Sequence, residues 1–181
     1  MRRLALVLLA LFALLAAGPA RAKATAGLEG WREFRFGMSR DQVMAILGDR
    51  GEVHGGAVHT TADIGGATYD ALLKFRSDRL HEVFLMSGLG RAKPQPDQEC
   101  YTYHMGLVGD TEATYGIKGE TDAASIGTGV RYIFTRTRFP FADGAKIMIE
   151  SKFVPSLVGG GLCESTILYQ ETERTGHQAG Q

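Results

Sequence analysis

The rhythm of apolar and polar positions changes several times along this chain, and each rhythm predicts a different element. Leu4 to Ala17 is an unbroken apolar run, preceded by Arg2 and Arg3 and followed by Gly18-Pro19 and Ala20-Arg21-Ala22. A positive start, a short apolar stretch and an A-x-A site have the layout of a cleavable export leader covering residues 1–22. The run is 14 residues long, whereas a helix needs roughly 20 to cross a bilayer. Cleavage after Ala22 would start the mature chain at Lys23, with no membrane span and no cysteine there to carry a lipid.

Beyond the leader, Trp31 to Phe36 alternates apolar and polar and predicts a short strand ended by Gly37. A helix start follows at once. Ser39 can cap it, Gln42 completes a capping box, and Met38 and Val43 stand at the positions of a hydrophobic staple. Val43, Ile46 and Leu47 share one helical face and Gly48 supplies the stop. A helix of about two to three turns is unstable alone in water, so this face needs a cover. The expected cover is the run of strands that comes next, around Leu73 and Phe84.

Three strands are predicted there. Val58 to Ile64 and Tyr69 to Phe75 alternate on either side of Gly65-Gly66, and Leu80 to Met86 follows the tight Arg76–Arg79 connection. Gly88 to Pro96 is the candidate boundary. Asp97 can then cap a second helix, in which Cys100, Tyr103, Leu107, Val108, Thr111 and Tyr115 recur at spacings of three and four until Gly116. Its inward side is expected against strands around Ile149 and Ile167. Ile117 to Gly129 is polar and glycine-rich and reads as a loop. Strands around Val130–Phe134, Ile147–Phe153 and Cys163–Tyr169 close the pattern, with a turn at Asp143-Gly144 and a flexible connection at Gly159–Gly161. The expected order is strand, helix, three strands, helix, three strands. This is an α+β chain with an antiparallel sheet and helices packed on one face. Its two helix-plus-β-meander units would be residues 23–90 and 91–181, sharing one domain.

Composition narrows the partners. The whole chain balances 20 basic against 20 acidic residues. Loss of the leader removes Arg2, Arg3 and Arg21 and leaves a net charge of −3. No basic surplus exists to neutralise phosphates, so nucleic acid is not an expected partner, and no polybasic segment addresses anionic lipid. The cysteines are Cys100 and Cys163. An even count in an exported chain reads as a disulfide, the alternative being two separate buried thiols, and an oxidising compartment favours the bridge. Closing a loop of about 64 residues would stabilise the fold by roughly 4 kcal/mol in the chain-entropy model.

The segment Trp31…Phe36-Gly37-Met38-Ser39-Arg40-Asp41-Gln42-Val43…Leu47-Gly48 resembles the opening of the SmpA/OmlA family. These are small outer-membrane lipoproteins that help to assemble β-barrels. A helix-plus-meander unit used twice is similar to the β-lactamase-inhibitor-protein fold. The resemblance implies an envelope protein that binds other proteins. Lys23 stands where the assembly lipoproteins carry their lipidated cysteine.

Motifs for chemistry are sparse. The five histidines, His54, His59, His81, His104 and His177, include no pair at helical i, i+4 spacing, and His54 and His59 flank a turn with Asp63 near them. They read as surface or strand-edge imidazoles, and no metal or other cofactor is expected. There is no G-x-S-x-G elbow and no phosphate loop. One stripe stands out. Arg131, Tyr132, Phe134, Arg136 and Arg138 lie in or near one strand, and arginine with aromatics is favoured at protein interfaces. The expectation is a periplasmic or secreted binding module whose partner is another envelope protein. The alternative is a small periplasmic hydrolase whose site carries no recognisable motif.

Overall fold

A computed structural model describes residues 27–87, 97–126, 132–155 and 160–172. The leader, the boundary segment 88–96, Arg131, Gly159 and residues 173–181 lie outside the described residues, as do the side chains of Asp97, Ser125, Ile126 and Tyr132. The strands are β1 (Gly30–Trp31), β2 (Phe34–Arg35), β3 (Glu52–His54), β4 (Ala57–Ile64), β5 (Ala67–Arg76), β6 (Arg79–Met86), β7 (Glu120–Ile126), β8 (Tyr132–Pro140), β9 (Lys146–Pro155) and β10 (Gly161–Gln170). The helices are α1 (Arg40–Leu47) and α2 (Asp97–Tyr115), with a 3-10 turn at Gly48–Arg50 after α1.

The architecture is α+β. Eight strands form one sheet in the order β3-β4-β5-β6-β10-β9-β8-β7, and every neighbouring pair is antiparallel. Each helix is followed by four strands where the sequence predicts three. The two additional strands, β3 and β7, are the outer edges. An edge strand with both faces open needs no apolar alternation, and Glu120 to Ala124 of β7 are all exposed. That is why a polar stretch expected to be a loop is a strand, paired residue for residue from Glu120↔Arg138 to Ile126↔Tyr132. The turns between β3 and β4, β4 and β5, and β5 and β6 place both central residues at positive φ, which matches the twist of a two-residue hairpin. Gly55-Gly56 and Gly65-Gly66 do so without a side-chain clash; Ser77-Asp78 do so against one.

The segment 31–36 is a hairpin and not the single strand its alternation suggests. Gly30 pairs with Arg35 and Trp31 with Phe34, around a turn at Arg32-Glu33. Folding back brings both rings to the core side, where they stack with centroids 5.8 Å apart. In α1 the capping box is present. The Ser39 hydroxyl accepts from the Gln42 amide and the Gln42 side chain accepts from the Ser39 amide. Val43 and Leu47 are buried, one turn apart. Ile46, expected beside them, is 36% exposed, and Met44 packs on the core in its place.

Both helices cover the same face of the sheet. Val43 and Leu47 of α1 and Leu107 and Val108 of α2 belong to one core cluster with Leu73, Val83, Ile149 and Ile167. In the strand around Phe84 it is Val83 and Leu85 that take the helix side, while Phe84 alternates to the opposite face. Cys100 in the first turn of α2 is bonded to Cys163 of β10, with Cα atoms 5.5 Å apart, within the ordinary span of a disulfide. This bond, with Phe153 and Ile133, forms a second small core under the start of α2.

Candidate functional site

The face without helices is built by strand register. His59 of β4 pairs with Leu72 of β5, Leu72 with Phe84 of β6, Phe84 with Leu168 of β10, Leu168 with Met148 of β9 and Met148 with Arg138 of β8. Partners directly opposite in a sheet share a face. Leu72, Phe84, Leu168 and Met148 therefore form an apolar row running across the strands. They are half-buried by their neighbours, and the two helices among the described residues lie on the other side.

Charged rows flank it. On one side Glu82 accepts from Lys74 Nζ at 2.6 Å and from Gln170 Nε2 at 3.0 Å. On the other, Arg136 pairs with Glu150, and at the β8 end of the apolar row itself Arg138 Nη1 donates to Asp122 Oδ2 at 2.8 Å. The Arg136 guanidinium also stands 5.0 Å from the centroid of the Phe134 ring. Exposed pairs of this kind contribute about 0–1 kcal/mol each, so their larger effect is to hold the charges in fixed places. Of the predicted stripe, Phe134, Arg136 and Arg138 thus meet on the open face. Tyr132 pairs with Ile126 through the backbone; Arg131 lies outside the described residues.

The histidines divide. His54 Nε2 lies 3.2 Å from Glu52 Oε2, and its ring meets the His59 ring edge to face at 5.4 Å. Among the described residues no group of three or more His, Cys, Asp or Glu side chains is placed to hold a metal ion. His104 is completely buried. Its Nδ1 is 2.9 Å from the Ser151 hydroxyl and its Nε2 is 2.8 Å from the Thr137 hydroxyl. Ser151 bonds Ser165 at 2.8 Å and Thr137 bonds Thr121 at 2.7 Å. The Tyr69 hydroxyl is 3.0 Å from that of Tyr103, which donates to the Ile64 carbonyl. A polar chain therefore runs under α2 from β7 to β10. Burial lowers the His104 pKa from 6.5 to about 4 and pushes both Tyr69 and Tyr103 up.

A serine beside a histidine invites comparison with a nucleophile and its base. Here both imidazole nitrogens are taken by hydroxyls and neither His104 nor Ser151 reaches the surface, so the pair fastens the helix to the sheet. The spacing of His104 from Cys100 and Val108, four residues either way, was the available signal that it faces inward. Comparison with family models, with curated proteins and with solved structures finds no match to this chain.

Proposed function

We propose that this chain is exported, loses residues 1–22 and acts in the periplasm as a non-enzymatic module that binds another envelope protein through the open face of its sheet. The observation that carries this reading is the row Leu72–Phe84–Leu168–Met148, an apolar band framed by ion-paired rows. An apolar centre with a polar rim is the anatomy of a protein interface. The fitting partner carries an apolar ridge with charges on both flanks. The disulfide accords with an oxidising compartment.

The element order supports a finer reading. α1 with β3–β6 and α2 with β7–β10 are two related helix-plus-meander units, joined where β6 pairs with β10. The likeness of the Trp31–Gly48 segment to SmpA/OmlA proteins adds to this, with the difference that a mature chain starting at Lys23 would be free of a lipid anchor.

The test is capture from periplasmic extract on the exported chain, run beside a Leu168→Glu/Met148→Glu variant of unchanged melting temperature. A protein retained by the natural sequence and lost with the variant is the expected outcome. Retention that ignores the variant, or no retention together with turnover in a hydrolase screen, overturns the reading.

A further inference from the structure

We propose that the cleft between the β1–β2 hairpin and α2 binds a small organic acid, a carboxylate carried on an aromatic or branched aliphatic body. The cleft lies on the helix-covered side of the sheet, and the proposal does not rest on the open-face reading.

The cavity encloses about 250 Å³. Ile64, Leu107 and Ile167 form its apolar lining, and Trp31, Tyr115 and Tyr169 supply aromatic walls. Apolar walls with a few convergent polar groups are the usual make-up of a small-molecule site. Polar groups line the same cleft. Tyr169 is 7% exposed and Tyr115 is half-buried, and both stand in its wall. The Tyr69 and Tyr103 hydroxyls, also within the fold, are partnered to each other. Burial raises both cleft phenols above their ordinary pKa, so both remain protonated donors.

Positive charge reaches the same place. Arg32 acts on the Tyr169 phenol and Arg35 on the Tyr115 phenol, each against the effect of burial. Arg32 is held firmly. Its guanidinium is 4.9 Å from the centroid of the Trp31 ring, and its Nη2 donates to the Asp63 carbonyl at 2.7 Å, leaving further N–H groups for a ligand. Its backbone φ is +52°, a turn position where glycine is the less strained choice. Two phenol donors and a fixed guanidinium call for an anionic acceptor. Asp110 stands on the α2 rim and repels a carboxylate there. The carboxylate is therefore directed to the hairpin end, with its apolar body against Leu107 and Ile167.

Trp31 is the single tryptophan of the chain and lines the cleft, so its emission reports on occupancy. The experiment titrates the exported chain, purified from the periplasm, with phenylacetate, phenylacetamide and phenethylamine. The expected result is a saturable change with phenylacetate at a Kd on the order of 1 mM, as suits so small a ligand, and binding at least about tenfold weaker for the amide and the amine. Tyr169→Phe keeps the ring, and Arg32→Gly relaxes the turn. Each should weaken phenylacetate about tenfold with the circular dichroism spectrum unchanged. The proposal is overturned by the absence of saturable change in both Trp31 emission and amide NMR shifts. It is equally overturned by phenethylamine binding as tightly as phenylacetate, or by Tyr169→Phe leaving the Kd unaltered.

Discussion

The two helices lie on the same face of one sheet but are attached by different means. α1 is eight residues long and depends on its ends and one apolar edge: the Ser39–Gln42 box, the Gly48 stop, and Val43 and Leu47 in the core. α2 is 19 residues long, and much of what it turns inward is polar or bonded. Cys100 is tied to Cys163, His104 to Ser151 and Thr137, and Tyr103 to Tyr69, while Tyr101 and Met105 face outward. Burial of apolar surface is non-directional; a disulfide and hydrogen bonds to both ring nitrogens fix a helix in one register. α2 should therefore be the more precisely placed helix and the one more sensitive to redox state and acidity.

The largest effect expected is that of the disulfide. Reduction, or Cys100→Ala with Cys163→Ala, should cost about 4 kcal/mol of stability, read as a lower midpoint in urea unfolding. Hydrogen exchange should rise in α2 before it rises in α1. Equal loss of protection in both helices would remove the distinction drawn between them.

Acid comes next. The pKa of His104 is lowered from 6.5 to about 4 in the folded chain, so the unfolded chain takes up a proton that the folded chain refuses. Its contribution is complete above about pH 6.5. It falls away as the pH drops toward 4 and levels off below that, a total on the order of 3 kcal/mol. No charged side chain on β8, β9 or β10 faces it. The helix-side residues near it are Thr135, Thr137, Ile149, Ser151, Ser165 and Ile167, and the phenols of Tyr69 and Tyr103 are neutral at these pH values. In the pH dependence of urea unfolding, His104→Gln should flatten the slope between pH 6.5 and 4. An undiminished slope would assign it to another group.

What the sequence discloses follows the range of the interaction. The capping box, the Gly48 stop and the turns at Gly65-Gly66 and Asp143-Gly144 are local chemistry and were legible. So was the inward side of α2, because Leu107 and Val108 repeat at helical spacing. The edge strands were not, since Glu120 to Ala124 of β7 are all exposed and, among the described residues, the strand has one neighbour only, so nothing imposes alternation. Phe134, Arg136 and Arg138 could be placed on one face by their period of two. The apolar row opposite the helices could not, because it exists only once β6 has met β10 across Phe84↔Leu168. The acid cleft is more distant still in sequence: Trp31, Tyr115 and Tyr169 converge from a hairpin, a helix and the last strand.

A smaller effect tests the capped end of α1. Ser39→Ala removes the acceptor for the Gln42 amide and should cost about 1 kcal/mol, seen as a modest fall in melting temperature with hydrogen exchange raised in α1 and unchanged in α2.

The smallest effect concerns the stripe of α1 itself. If Ile46 belonged to the buried edge, truncation to alanine would cost a few kcal/mol, as in other cores. At 36% exposure it has little buried area to lose, and alanine has the higher helix propensity. The two terms oppose each other, and Ile46→Ala should leave stability within about 0.5 kcal/mol of the natural chain. Leu47→Ala, one residue on and 4% exposed, should cost about 3 kcal/mol. Urea unfolding of the two variants side by side measures the contrast. Equal losses would mean that α1 is rotated so that Ile46, and not Met44, completes its contact with the sheet.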